Sequence, residues 1–284
     1  PQLSPLVITG PHFGGALATE APIEPWPSVG PNVTGHSLLQ NLTAERHVRY
    51  VFDYVKSIDT SEWPFSIVTG RGKVIFANSV IIATGRLQSP LYLEGERSLA
   101  WGPVAIAGTI GRYGRFFGRR LSIIGNTTTA AVEALRSAPF AKHVTIVCAT
   151  GAMTCGPLLM RRLSRVSNLT IMNNSLINSY VTVGSVPELR LRAIELDGAH
   201  GSLCLRTDNV VLAALMRPST SMFPNVKRSA SGYILTRWGG PQTNVEGLFA
   251  SGSAVQGNIK NAINAAASGC NAAEAAIRFL DLQC

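Results

Sequence analysis

Acidic side chains are scarce in this chain: 16 Asp and Glu face 25 Lys and Arg, which leaves a formal net charge of +9 at neutral pH. No apolar run reaches the roughly 18 residues that a membrane-crossing helix requires, so an α-helical membrane span is not expected. No secretory signal pattern is visible either, and the cytoplasm is the expected location. The chain starts on Pro1 rather than Met, as a processed or incomplete start would. Cysteine is also short. The five present (Cys148, Cys155, Cys204, Cys270, Cys284) include no CxxC pair, and the spacing of Cys148 and Cys155 matches no common zinc or redox motif. Buried apolar thiols are the expectation for them. The histidines (His12, His36, His47, His143, His200) are scattered, so no metal site is expected and no residue stands out as a catalytic base. What remains is 46% apolar and 14% charged, the composition of an ordinary globular interior. A length of 284 residues suffices for one large or two modest domains.

The excess of positive charge is unevenly placed. Between Trp101 and Leu215 there are 12 Lys and Arg against 5 Asp and Glu. Arg112, Arg115, Arg119 and Arg120 form one cluster, and Arg161, Arg162 and Arg165 another. Such a face either docks an acidic protein or anionic ligand, or is simply solvated. Aromatics do not interleave with these arginines as they do in nucleic-acid grooves, so a nucleic-acid partner is not expected.

Hydrophobic periodicity divides the chain into two α/β halves. Leu6–Thr9 is a short apolar run ending at Gly10, consistent with a buried strand. The stretch from Pro11 to Gly35 is rich in proline and glycine and cannot hold a long regular element. A helix is expected over Ser37–Arg49 and a strand over Val51–Ile58. Phe65–Val68 and Val74–Phe76 flank Gly70-Arg71-Gly72 and read as a hairpin. Ser79–Ala83 reads as a further buried strand. In the second half, a strand at Leu121–Ile124, a turn after Gly125, a helix through Ala130–Leu135 and a strand at Val144–Val147 make a βαβ unit of a doubly wound sheet. A helix over Pro157–Val166 and a strand over Leu169–Met172 follow. Leu189–Ile194 and Leu203–Arg206 suggest a hairpin around Asp197-Gly198, and Val210–Ala214 closes the unit. Leu248-Phe249-Ala250 is a brief strand. The last helix, about Ile259–Leu280, carries a stripe of small residues (Ala262, Ala265, Ala266, Gly269, Ala273, Ala276) that would let backbone or ligand approach closely.

Several motifs occur in a telling order: Gly14-Gly15-Ala16-Leu17, Glu24-Pro25-Trp26-Pro27, Thr34-Gly35, Ile81-Ile82-Ala83-Thr84-Gly85, Thr243 through Gly252, and the final helix with Ala265, Ala266, Gly269 and Ala272. Together they resemble thioredoxin reductase, a member of the pyridine nucleotide–disulfide oxidoreductases. The resemblance implies two Rossmann-like domains, the second inserted into the first. By it, residues 1–101 and 216–284 form an FAD-binding domain and residues 102–215 an NAD(P)-binding-like domain. It assigns Thr9, Gly10, Gly14, Gly15, Ala16, Leu17, Val55, Ala83, Thr84 and Gly85 to the flavin nucleotide, with Gly252, Ser253, Lys260, Asn261 and Ala262. Gly125, Asn126 and Thr127 stand at the NAD(P)H turn. A homodimer is implied by the resemblance; the Arg-rich face of 112–165 adds a small acidic redox protein as a candidate electron partner, beside a small organic substrate or oxygen.

The chain departs from this pattern in six places. The family's opening strand and GxGxxG turn, which cradle the FAD pyrophosphate on a helix N-terminus, would lie before Pro1 and are expected in a longer chain. Where the family places CxxC, this sequence has Gly108 and Gly111 within Ala107–Arg112, ahead of Phe116-Phe117. Glycine offers no atom that can attack or form an adduct, so disulfide reduction by that route is not expected. The second nucleotide turn reads Gly125-Asn126-Thr127-Thr128-Thr129-Ala130, with Thr127 where a glycine would let pyrophosphate approach. An ordinary strand-to-helix turn capped by threonine is the competing reading there. The arginine cluster that grips a 2′-phosphate is replaced by Cys148-Ala149-Thr150-Gly151, leaving Arg161 or Arg162 to reach in. Gly252-Ser253 replaces Gly-Asp, and Lys260-Asn261-Ala262 replaces Arg-Gln-Ala, keeping a cation and an amide at a helix N-terminus. Two functions follow as expectations: an FAD-dependent oxidoreductase without its own dithiol, or a non-catalytic descendant that binds flavin or a partner.

Overall fold

A computed structural model of the chain describes residues 3–10, 13–18, 26, 33–44, 48–88, 91–99, 102–106, 113–185, 189–198, 201–213 and 216–283. It divides into two units, residues 1–87 with 217–284, and residues 88–216. The Ala107–Arg112 segment, Glu24, Pro25, Pro27, His12, His47, His200 and Cys284 lie outside the described residues.

Unit 1 opens with β1 (Leu6–Ile8), a 3-10 turn at Gly15–Leu17, and α1 (Gly35–Thr43). The helix starts two residues before the expected Ser37 because Thr34 and Ser37 form a reciprocal cap. The Ser37 amide donates to Thr34 Oγ1 at 3.2 Å and the Thr34 amide to Ser37 Oγ at 3.1 Å. The strand expected over Val51–Ile58 is two strands: β2 (Arg49–Val51), parallel to β1, and β3 (Val55–Asp59), antiparallel to β4 (Phe65–Thr69). Asp53 causes the break. Its carboxylate accepts the amides of Tyr54 at 2.8 Å and Arg71 at 3.0 Å, while its carbonyl accepts the Gly10 amide at 2.9 Å. The hairpin forms as its pattern predicts, β4 pairing with β5 (Val74–Ala77) around Gly72 at φ 81°. After β6 (Val80–Ile82) the chain leaves unit 1 through β7 (Arg86–Gln88).

Unit 2 begins at Gln88, earlier than the expected residue 102, because Leu91, Leu93 and the fully buried Leu99 of α2 (Glu96–Leu99) pack into its core. Then follow β8 (Val104–Ile106), β9 (Arg120–Ile124), α3 (Thr128–Ser137), β10 (His143–Val147), α4 (Pro157–Leu163) and β11 (Leu169–Met172). Three longer strands come next, β12 (Ser175–Val183), β13 (Arg190–Gly198) and β14 (Gly201–Arg206), and then β15 (Asn209–Leu212). The parallel sheet has the order β11-β10-β9-β15-β8, with β9 at its centre. Its near-continuous apolar runs mark strands covered on both faces. One face is closed by α3, whose Ala130, Ala131 and Ala134 are fully buried and let the helix sit close. The other is closed by the antiparallel β12-β13-β14 sheet through Ile177, Ile194 and Leu196. Periodicity missed β12, and it ended the β13 hairpin too early: β13 runs through Asp197 and Gly198, which pair with Ser202 and Gly201.

The chain returns through β16 (Met216–Pro218), and β17 (Leu248–Ala250) joins β6 in parallel before α5 (Ala262–Asp281). Unit 1 therefore holds two separate parallel pairs, β1–β2 and β6–β17. Unit 2 has comparable pairs, β10–β11 and β15–β8, but joins them through β9. No described residue of unit 1 takes the place that β9 takes in unit 2. The stripe on α5 is only partly its buried face. Ala272 and Ala276 pack against Phe249 and Phe279, whereas Ala265, Ala266 and Ala273 are exposed.

Candidate functional site

Parallel α/β sheets bind ligands beyond the carboxyl ends of their strands, where the backbone must turn sharply. The residues singled out from sequence fall into three such places. At the end of β1, Thr9 donates from its amide to Val51 O at 3.1 Å and Gly10 takes φ 78°, with nothing within 4 Å of where a side chain would start. Gly14 and Gly15 also have positive φ, at 85° and 50°, and open the turn through Ala16 and Leu17. Their surroundings differ. A side chain on Gly14 would run into Leu39 of α1, whereas Gly15 faces open space. Gly14 therefore serves packing and Gly15 leaves room for a ligand. Val55 begins β3 opposite Thr69.

The second place is the shared end of β6 and β17. Thr84 Oγ1 donates to Ser219 O, and the Ser219 amide returns to Gly85 O at 3.0 Å, pinning the turn after Ala83. Gly85, at φ 65°, lies against Ser253: a Cβ there would sit 3.6 Å from Ser253 Oγ. Gly252, at φ 68°, donates to Ser268 Oγ at 2.9 Å and accepts from Asn258 Nδ2 at 3.0 Å. Lys260 Nζ donates to Val255 O at 2.6 Å and sits 4.5 Å above the Tyr233 ring. Burial, and then the charge of Arg86, hold the Lys260 ammonium below its ordinary pKa. Asn261 caps α5 by accepting the Asn264 amide at 2.8 Å, and Ala262 opens the helix. Sequence reasoning did not single out Arg86. The signal available was its position one residue after the Ala-Thr-Gly turn.

The third place is the end of β9 in unit 2. Gly125 donates to Val147 O at 2.9 Å. Asn126 O accepts both the amide and the hydroxyl of Thr154, at 2.6 and 2.9 Å, and Asn126 Nδ2 donates to Thr150 O at 3.3 Å. Thr127 bridges to Thr154 in parallel. Thr127 is the N-cap residue of α3, yet its side chain makes no capping bond. The expected threonine cap is therefore absent, and the first turn of α3 keeps its amides free of a side-chain acceptor.

The cysteines split by environment. Cys148 is fully buried with its thiol pKa raised by burial, and Cys155 is half-buried. Cys204 and Cys270 are exposed, contrary to expectation, because the first lies on the outer strand β14 and the second on the solvent side of α5. His36 bonds Gln40 at 3.2 Å and His143 bonds Thr170 at 3.1 Å. No group of residues among those described could hold a metal ion, and no helix is long and apolar enough to cross a membrane. Arg115, Arg119, Arg161, Arg162 and Arg165 are all exposed, and Phe117 among them is 80% exposed. Arg120 is half-buried beside Asp208, and Arg112 lies outside the described residues.

Comparison with known proteins identifies the fold and the family. Thioredoxin reductase of Vibrio cholerae is 30% identical over 99% of this chain and 91% of its own length. Glucosaminate ammonia-lyase of Pseudomonas fluorescens is 29% identical over 99% of this chain and 89% of its own. The crystal structure of Lactococcus lactis thioredoxin reductase superposes with a TM-score of 0.84 at 19% identity, covering 98% of this chain and 91% of that one. Residues 9–269 match the family described as pyridine nucleotide-disulphide oxidoreductase. The chain, with its two Rossmann-type units, belongs to the pyridine nucleotide-disulphide oxidoreductase family.

Proposed function

We propose that this protein is an FAD-dependent oxidoreductase that exchanges electrons with an external donor and acceptor without a dithiol of its own. The observation that carries the reading is the sequence: Gly108 and Gly111 stand where the family has its cysteine pair, and no two of the five cysteines are spaced as CxxC. FAD and NADPH are the cofactors of the family. FAD would supply two-electron transfer; the chain's own residues would bind and orient it. Gly10, Gly15, Gly85 and Gly252 turn the backbone at strand ends through positive φ, and Gly10 and Gly15 leave open space. Ser253 offers a hydroxyl for the ribityl chain, and Lys260 with the capped first turn of α5 supplies positive potential. The uncapped first turn of α3, after Gly125 and Asn126, suits an NAD(P)H phosphate. Cys148 through Gly151 hold no guanidinium for a 2′-phosphate, so NADH and NADPH are expected to bind alike.

A small acidic redox protein is the proposed partner on the Arg-rich face of 112–165. Support comes from the exposed Phe117 beside the exposed Arg115 and Arg119. A homodimer is proposed on family resemblance. One observation favours the second reading, a non-catalytic binding descendant: Thr154 saturates the Asn126 carbonyl and bridges Thr127, bracing the nucleotide turn with its own chain.

The deciding experiment expresses the protein, reconstitutes it with FAD and follows flavin absorbance under anaerobic NADH or NADPH. A stoichiometric flavin that is bleached by nicotinamide and reoxidised by ferricyanide is expected, with no catalytic reduction of an aromatic disulfide. A protein that takes up no FAD, or one that turns over the disulfide, overturns the reading. Flavin uptake without bleaching favours the non-catalytic alternative.

A further inference from the structure

The antiparallel sheet of β3, β4 and β5 in unit 1 carries apolar side chains on the face that its own core does not use. Ile58, Phe65 and Ile67 point inward with Ile75 and Ala77 and pack into the main cluster of unit 1. Strand alternation turns the neighbouring positions outward. Asp59, Ser66 and Phe76 form one outward row, and Ser57, Val68 and Val74 the next. A sheet with one solvated face alternates apolar with polar residues, whereas an unbroken apolar run marks a strand covered on both faces. The strand β5 is such a run, Val74-Ile75-Phe76-Ala77, yet Phe76 is 68% and Val74 50% exposed. Trp63 stands at the end of β5, its indole N–H donating to Asn78 O at 3.0 Å, and is 51% exposed. Single exposed apolar residues are ordinary, but neighbours on one face mark a contact surface. Charge divides the same sheet by its ends. Asp59 and Glu62 lie where β3 turns into β4, and Lys56, Arg71 and Lys73 lie at the opposite end, where β4 turns into β5. None of these five makes an ion pair with a described residue. Asp53, beside the basic end, is buried with its carboxylate occupied by the amides of Tyr54 and Arg71.

We infer that the outward face of β3, β4 and β5 is a self-association surface, and that its occupant is the same face of a second copy of this chain. A two-fold axis lying between the two faces, perpendicular to the strands, sets them antiparallel. Each acidic end then lies over the other copy's basic end, and one contact covers Val74, Phe76 and Trp63 of both copies. A partner of a single charge sign would match one end and be repelled at the other. The face spans about 17 Å along β4 and about 10 Å across its strands. That is small for an interface, so a dissociation constant of about 1–100 μM is expected. The inference does not rest on the flavin reading.

The test is sedimentation velocity of the full chain over a concentration series of about 1 to 300 μM, which brackets that range. It compares the parent with Phe76→Thr, Glu62→Lys and Lys73→Glu, each first checked for an unchanged circular-dichroism spectrum. All three side chains are exposed and threonine suits a strand, so the fold is retained. Phe76→Thr is expected to weaken association about tenfold or more, as loss of a central aromatic does. Each charge reversal is expected to weaken it about three- to tenfold. An equimolar mixture of Glu62→Lys with Lys73→Glu should associate as tightly as the parent, because every acidic end again meets a basic one. Raised salt should weaken both the parent and the mixture. Where another face already makes a dimer, this face reads as a dimer-to-tetramer step with the same dependence on the variants. A parent of one size throughout the series, a step that the variants leave unchanged, or reversals that mixing does not rescue each overturn the inference.

Discussion

At the scale of single residues, Lys260 makes the sharpest claim. Burial first, and the neighbouring Arg86 second, lower its pKa from the ordinary 10.5. A lysine that is easier to deprotonate in the fold binds fewer protons there than in the unfolded chain between the lowered value and 10.5. Its contribution to stability therefore rises with pH through that window and levels off above it. Replacing Arg86 by Gln removes the second cause and leaves the first, so the Lys260 pKa moves part of the way back up. NMR titration of a lysine labelled at Cε reads this directly, and an unmoved Lys260 in Arg86→Gln would show that the two charges do not couple. The sequence made Lys260 visible because it stands in place of a family arginine. Arg86 stayed hidden because its effect is on the charge of a lysine 174 positions away, a long-range relation that local pattern does not encode. Thr127 shows the opposite error. Its type and place both suit a cap, yet Thr154 takes the Asn126 carbonyl and bridges to Thr127, and the threonine side chain makes no capping bond.

At the scale of elements, the helices α3 and α5, proposed to face nucleotides, differ in how they begin, and stability should follow. Asn261 accepts the Asn264 amide at 2.8 Å at the start of α5, so Asn261→Ala is expected to cost about 1 kcal/mol. Thr127→Ala at the start of α3 is expected to cost only a few tenths by the same scale, because no cap bond is lost. Urea melts of the two variants decide the contrast, and equal losses would argue against it. A turn makes a second prediction. Trp238 and Gly239 both have positive φ, at 48° and 71°, within a turn closed by the Gly240 amide on Arg237 O at 2.9 Å. That is the geometry of a type I′ turn, which favours Asn-Gly. A tryptophan there carries about 1–2 kcal/mol of backbone strain, and at 95% exposure it recovers nothing by packing. Trp238→Asn should therefore raise the melting temperature. A lowered one would mean that the indole packs on something, a second copy of the chain being the first candidate to check by light scattering.

At the scale of the whole molecule, the parallel strands of unit 2 were legible because their apolar runs are self-sufficient. Leu121–Ile124, Val144–Val147 and Leu169–Met172 each need only a neighbour of the same kind. The strand β12 was not legible. Its pairing with β13 is interrupted by register shifts near Ile177 and Val181, which break the alternation that periodicity looks for. The same asymmetry decides how the chain should fold. Unit 2 is one continuous segment, Gln88–Met216, whose two apolar clusters are built from its own residues. Unit 1 is assembled from both ends of the chain. Its main cluster joins Ile58, Phe65 and Ile67 to Phe223, Ile234 and Leu248, and β6 has its strand partner in β17. A fragment of residues 88–216 is therefore expected to fold alone with a single cooperative thermal transition, whereas residues 1–87 alone should remain unfolded, lacking half of their core. Circular dichroism melts and dispersed amide NMR spectra of the two fragments test this. A molten 88–216 fragment would mean that the apolar clusters of unit 2 cannot hold the sheet without the rest of the chain.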